Sequence, residues 1–238
     1  MNLTKTTFWQ SIFRSGRAST RGYNALLHIH PRTVTREDLR FKKTFCMGGL
    51  AFLMFLVLTV SGLLLMFYYV PGADRAYRDM QDLAYVIPFG RLVRNIHRWS
   101  AHAMVLFVVL HMARVFYHKA YRHPREFNWV IGVTCLALTL LLSFTGYLLP
   151  WDQLSYWAIT VGTNMISYIP FIGSKGPLSM VGANTDVKYF ILGSESVGQN
   201  GLLRFYVLHV VVLPLALFIG VMFHFWRVRK DKQFKRPL

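Results

Sequence analysis

The sequence predicts an all-α fold, an integral membrane four-helix bundle with amphipathic surface segments. Three observations carry that prediction. The 238 residues are 54% hydrophobic and only 16% charged, with a mean hydropathy of +0.35, the composition of a membrane chain. Four apolar runs each reach the roughly 20 residues that a helix needs to cross a ~30 Å hydrocarbon core. Two of those runs contain histidines, and ionisable side chains at membrane depth are costly and mark function.

The elements follow in order. Residues 1–42 form a basic tail with an amphipathic segment. Residues 1–40 lack a continuous apolar stretch, so no cleavable signal peptide is expected. Residues 43–238 make the four-helix membrane domain. The first span runs from about Phe45 to Val70 and stops before Pro71-Gly72. The second runs from about Leu92 to Tyr117. The third runs from about Asn128 to Leu149, ended by Pro150. Residues 150–202 connect it to the fourth span, from about Leu203 to Trp226. No internal repeat or low-complexity segment interrupts this order.

Four spans return both termini to one side, and charge fixes which side. Of the 27 Lys and Arg, 19 lie in the N-terminal tail, at the end of the second span (Arg114) and in the loop after it, or from Arg227 onward. The positive-inside rule places those stretches on the cytoplasmic, negative side. The net charge of +17 is therefore orientation charge, which also suits anionic headgroups, and a nucleic-acid partner is not expected. The two cysteines, Cys46 and Cys135, make neither a disulfide framework nor a metal pair.

The second span carries His97 and His111, 14 residues apart. On a helix that step is a net rotation of about −40° and a rise of ~21 Å, so both lie on one face near opposite membrane surfaces. The fourth span carries His209 and His224, 15 apart, a net of about +60° and ~22 Å. The two spans run the same way, so His97 is level with His209 and His111 with His224. Two facing imidazoles are an axial set for a six-coordinate haem iron, which favours electron transfer. Ordinary packing of each histidine is the alternative. His102 is about 140° around the helix from His97 and is read as packing, polar contact or pore-facing. His28, His30, His118 and His123 lie in flanking segments and read as surface residues.

Glycines repeat the histidine period. Gly48 and Gly62 in the first span, and Gly132 and Gly146 in the third, are each 14 apart. A missing side chain lets a flat group approach the backbone, or simply lets helices pack closely. Arg94 and Arg98 flank His97, and Arg114 follows His111. Each suits a haem propionate or snorkels to the interface.

These residues resemble a family. "CMGG", "RNIHRWSAH", "LHMARV", "REFNWVIGV", "TGYLLPWDQLSYWA", "IPFIG", "SVGQ", "LLRFYVLH", "MFHF" and the final "PL" are similar to cytochrome b of the bc-type and b/f-type quinol oxidoreductases. They are most similar to the short four-helix b-six type, which shares the 15-residue spacing in the fourth span. The resemblance implies two bis-histidine b haems, a low-potential one held by His97 with His209 on the electropositive side and a high-potential one held by His111 with His224 on the negative side. It implies quinol oxidation, with electrons crossing the membrane through the haems to a second quinone site, coupled to proton translocation. It implies that the segment from Pro150 to Gly173 helps cover the oxidation site, and that Arg229 serves the negative-side quinone site. It implies a third haem, of c type, held covalently by Cys46 in "CxGG". A small buried thiol is the alternative there, and Cys135 reads as packing. The implied partners are a three-helix subunit carrying the remaining quinol-site motif, a Rieske iron–sulfur protein, a c-type cytochrome and quinone, in a dimeric complex within the lipid membrane. The chain is expected to be active only within that complex. The long basic tail, the insertion around Ser174–Leu192 and the basic end after Arg227 depart from the usual pattern.

Two other readings use the same histidines. One is a dihaem membrane anchor of a quinone-linked dehydrogenase or reductase. The other is a transporter with a histidine proton relay. "PWDQ" and "CxGG" argue against the anchor, and a haem spectrum separates both haem readings from the transporter.

Overall fold

A computed structural model describes residues 45–230, apart from residues 124 and 183 and the side chains of residues 229 and 230. The tail and amphipathic segment assigned to residues 1–42, with His28 and His30, lie outside the described residues, as does the final "PL". Eight α-helices and one π turn are described: α1 (Met47–Met66), α2 (Ala76–Tyr85), α3 (Gly90–Tyr117), α4 (Glu126–Leu148), α5 (Gln153–Ile166), α6 (Val187–Leu192), α7 (Gln199–Val207), the π turn Leu208–Val212, and α8 (Leu213–Lys230).

Four of these rods are long and apolar enough to cross a membrane: α1, α3, α4, and the continuous run Gln199–Val228 made by α7, the π turn and α8. The all-helical four-span class of the sequence therefore holds. α1 packs along α3, and α8 along α4. Between them lies a core of Phe55, Met104 and Leu217, with Leu58, Val108, Leu138 and Val221 around it. This apolar layer separates the two ends of the bundle. Cys46 and Lys230 lie at what we term the tail end; α2, α5 and α6 cover the loop end.

The boundaries move for local reasons. α1 stops at Met66 rather than Val70, because Phe67 and Tyr68 donate to Leu64 and Leu65 in i→i−3 bonds that tighten the last turn. α4 ends at Leu148, and Trp151 takes a positive φ of 54° that turns the chain into α5. Asp152 caps α5 by accepting the Ser155 amide at 2.9 Å. The connection between the first two spans is not a bare loop but holds α2. Its buried residues are Ala76, Asp79 and Leu83, a one-sided stripe in an otherwise polar stretch.

The loop end is tied together by polar contacts. The Tyr69 hydroxyl donates to the Leu149 carbonyl at 2.7 Å. Gln199 donates to the Pro71 carbonyl at 2.9 Å and accepts the Ala73 amide at 2.7 Å. Asp79 accepts the Val70 amide at 2.8 Å and pairs with Arg75 at 3.2 Å. Burial and the nearby Asp79 carboxylate push the Tyr69 phenol up, so it stays a donor. Lys188 donates to Asn164 at 2.9 Å and joins α6 to α5.

Candidate functional site

The site is built from α3 and the α7–α8 rod. His97 and His209 face each other at the loop end, with ring centroids 6.3 Å apart and planes at 72°. His111 and His224 face each other at the tail end, again 6.3 Å apart, with planes at 85°. An imidazole–metal bond is about 2 Å long. The ~1.33 Å bonds of a five-membered ring give it a radius of about 1.1 Å. Two axial imidazoles on one metal therefore have centroids roughly 6 Å apart, and both pairs fit that span. Among the described residues no group of three or more His, Cys, Asp and Glu is arranged for a bare metal ion. Two imidazoles without further donors make an axial set for a macrocycle.

The register has a structural cause that spacing alone does not supply. A regular helix would turn His224 about 100° away from the phase that His97 and His111 share, because the fourth span has one residue more. The π turn at Leu208–Val212 takes up that residue; the Leu213 amide donates to the Leu208 carbonyl, five residues back. Its cause is in the sequence. Pro214 has no amide to give, and its ring would strike the Val210 carbonyl in a regular helix.

Hydroxyls orient the loop-end imidazoles. Ser61 Oγ lies 2.9 Å from His97 Nδ1 and donates its own proton to the Val57 carbonyl at 2.7 Å. Thr145 Oγ1 lies 3.1 Å from His209 Nδ1 and donates to the Leu141 carbonyl at 2.9 Å. With their protons committed to the backbone, both hydroxyls accept from Nδ1–H, which leaves each Nε2 lone pair for a metal. At the tail end the His224 Nδ1 and the Asn128 Oδ1 are buried without a hydrogen-bond partner.

The four glycines lie against the four imidazoles. A Cβ would meet the imidazole Cε1 at 3.3 Å from Gly48 (His111), 3.2 Å from Gly62 (His97), 3.6 Å from Gly132 (His224) and 2.6 Å from Gly146 (His209). The flat group that these glycines admit is, in the protein itself, the edge of a histidine ring. Arg94 is half-buried and Arg98 exposed, beside His97 at the loop end. Arg114 is half-buried at the tail end, its guanidinium 4.6 Å from the Phe45 ring centroid. Cys46 is the exposed residue preceding α1, at φ 49°, two residues before Gly48. Arg229 is on the last turn of α8, and its side chain lies outside the described residues. His102 is exposed, its ring edge-on to Trp99 at 5.7 Å, away from both pairs. His118 and His123 are exposed, and Cys135 is packed in the mid-bundle layer.

Comparison with known proteins decides the family. A family model described as Cytochrome b/b6/petB matches residues 36–232. The chain belongs to the cytochrome b family. Cytochrome b6 of Heliomicrobium gestii is 41% identical to it over 185 residues, 78% of this chain and 82% of that one. Cytochrome b6 of Gracilaria tenuistipitata var. liui is 40% identical over 187 residues, 79% of this chain and 82% of that one. A chain of a solved hyperthermophilic respiratory Complex III is similar with a TM-score of 0.70 and 31% identity, covering 79% of this chain; this chain spans 48% of that one. Within a cytochrome b chain, four apolar helices make an integral membrane protein, and two imidazole pairs suit b-type haems.

The histidine and glycine spacings do not point to Ser61, Thr145 or Pro214. Ser61 and Thr145 each stand one residue before a glycine of the 14-residue repeat, and Pro214 follows His209 by five. Those positions are the signals that mark them in the sequence.

Proposed function

We propose that this cytochrome b is the haem-bearing membrane subunit of a quinol oxidoreductase complex. The observation that carries the reading is the pair of stacked imidazole pairs, each at 6.3 Å, at opposite ends of a four-span bundle. His97 with His209 and His111 with His224 hold two b haems. Bound there, haem supplies a one-electron carrier at each end of the membrane. The chain's own residues hold, orient and insulate. Ser61 and Thr145 fix the imidazole tautomers, the glycines admit the rings, and the Phe55–Met104–Leu217 layer keeps the middle dry. Arg94, Arg98 and Arg114 pair with propionates at the ends where they lie.

The finer parts of the reading belong together. Quinol is oxidised at the loop end, beneath α5 and the segment from Pro150 to Gly173, and a second quinone is served at the tail end with Arg229. The tail end faces the cytoplasm. Cys46 holds a third haem by one thioether beside the His111 pair. Half of the oxidation site comes from a separate three-helix subunit. A Rieske protein and a c-type cytochrome receive electrons at the loop end of a dimeric complex, and the isolated chain is inactive.

Haem content tests this. Wild-type chain should hold two b haems. His97→Ala or His209→Ala should remove one, and His111→Ala or His224→Ala the other, while His102→Ala keeps both. Loss of a haem in His102→Ala with retention in His97→Ala would defeat the pairing. Haem staining of the denatured chain reads Cys46 separately. A thioether survives denaturation, so an unstained wild-type chain removes the third haem from the proposal.

A further inference from the structure

The two imidazole pairs are built alike, with a glycine against each ring, but the residues that precede those glycines differ. At the loop end, each glycine that meets an imidazole is preceded by a hydroxyl residue: Ser61-Gly62 and Thr145-Gly146. At the tail end, the same place is apolar: Met47-Gly48 and Ile131-Gly132. The difference reaches the rings. Both loop-end Nδ1 atoms have a buried hydroxyl at 2.9 and 3.1 Å, on residues only 5% and 3% exposed. Neither tail-end imidazole has a hydroxyl partner among the described residues. His224 Nδ1 is buried without a hydrogen-bond partner.

The direction of the effect follows from charge. Each hydroxyl spends its proton on a carbonyl one turn back, on Val57 or Leu141, so its lone pair is aimed at Nδ1–H. An acceptor at Nδ1–H draws the proton outward and makes Nε2 a stronger electron donor. A stronger axial donor stabilises the oxidised, more positive iron and lowers the potential. Two such ligands act on one iron, whereas the other iron has none.

We infer that Ser61 and Thr145 are positioning residues whose two hydroxyls hold the loop-end haem at the lower potential that the family resemblance implies for it. The inference rests on the proposed haem binding and adds the residues that make its two sites unequal.

A redox titration of the b-haem absorbance, in the full chain within its complex, tests it. The loop-end signal is identified as the one lost in His97→Ala. Ser61→Ala and Thr145→Val should each raise the loop-end midpoint, shifting its reduction equilibrium about tenfold, the usual size of a lost outer-shell partner. The tail-end midpoint should not move. Ser61→Thr keeps the hydroxyl and should keep the wild-type value. Ile131→Ser adds a hydroxyl before Gly132 and should lower the tail-end midpoint. Unmoved potentials in both Ser61→Ala and Thr145→Val, or equal shifts at both haems, overturn the inference. If those variants lose the haem, Ile131→Ser decides: a lowered tail-end midpoint supports the inference and an unmoved one overturns it. A wild-type chain with no bis-imidazole haem defeats the proposed function itself.

Discussion

At the scale of single residues, space against the imidazoles is unequal, and that gives a graded prediction. A Cβ on Gly146 would lie 2.6 Å from His209 Cε1, closer than any real contact, with His209 Nε2 and Nδ1 at 3.1 and 3.2 Å. A Cβ on Gly132 would lie at 3.6 Å from His224, an ordinary contact. Gly146→Ala should therefore displace the His209 ring and lose most of the loop-end haem, while Gly132→Ala keeps both. Haem-to-protein ratios check this; equal loss in both variants would contradict it. A second residue gives a pH effect. Burial pushes Asp186 up, but the Ser174 hydroxyl at 2.6 Å, the Tyr189 amide at 2.8 Å and Lys188 outweigh it and hold the carboxyl below its usual range. A lowered folded value means that its stabilisation is full above the unfolded value of ~3.9 and is lost as pH falls through the lowered one. The α6 cap, worth about 1 kcal/mol, should thus persist at neutral pH and fade in acid. Corrected amide-exchange protection of Tyr189 should fall in acid in the wild type and stay flat over the same range in Asp186→Asn, whose amide oxygen still caps but does not titrate.

At the scale of elements, the π turn separates two deletions that look alike. Leu106 and Val211 lie between the histidines of their spans and are 54% and 55% exposed. Deleting Leu106 shortens a regular helix and rotates His111 by about 100° relative to His97. Deleting Val211 removes the residue that the π turn absorbs, leaving His209 and His224 14 apart, as on α3. The Val211 deletion should retain both haems, and the Leu106 deletion should lose at least one. Retention in neither, or in both, would show that the π turn does not set the register. The same element marks the limit of the sequence reading. Matched levels of the histidines follow from rise per residue, but matched faces do not, because a uniform helix has no place for the residue that the turn before Pro214 absorbs. α2 is not legible in the sequence because its three buried positions are diluted by polar neighbours. Ser61 and Thr145 do not stand out in the sequence because a hydroxyl in a membrane span more often bonds its own backbone, and here it does that and meets an imidazole as well.

At the scale of the whole molecule, the two ends differ in charge as well as in ligand chemistry. Nineteen of the 27 Lys and Arg belong to the stretches joined to the tail end, including Lys119, Arg122 and Arg125 between α3 and α4. Each basic residue near an anionic leaflet contributes ~1 kcal/mol, so an inverted chain would forfeit many such contributions and oppose the insertion bias. The asymmetry was legible before any coordinates, because it needs only the span count and the positions of charges. Under the proposed function, a loop end facing away from the cytoplasm would put quinol oxidation beneath α5 and release its protons into the opposite compartment. A phosphatase that needs an oxidising compartment to form its disulfides, fused after Leu238, should be inactive, and a fluorescent protein at the same place should be bright. The same phosphatase placed at 179–181, in the exposed connection between α5 and α6, should be active. An active phosphatase at Leu238 would reverse the orientation, put the Ser61–Thr145 end on the cytoplasmic face, and overturn the assignment of quinol oxidation to the side opposite the cytoplasm.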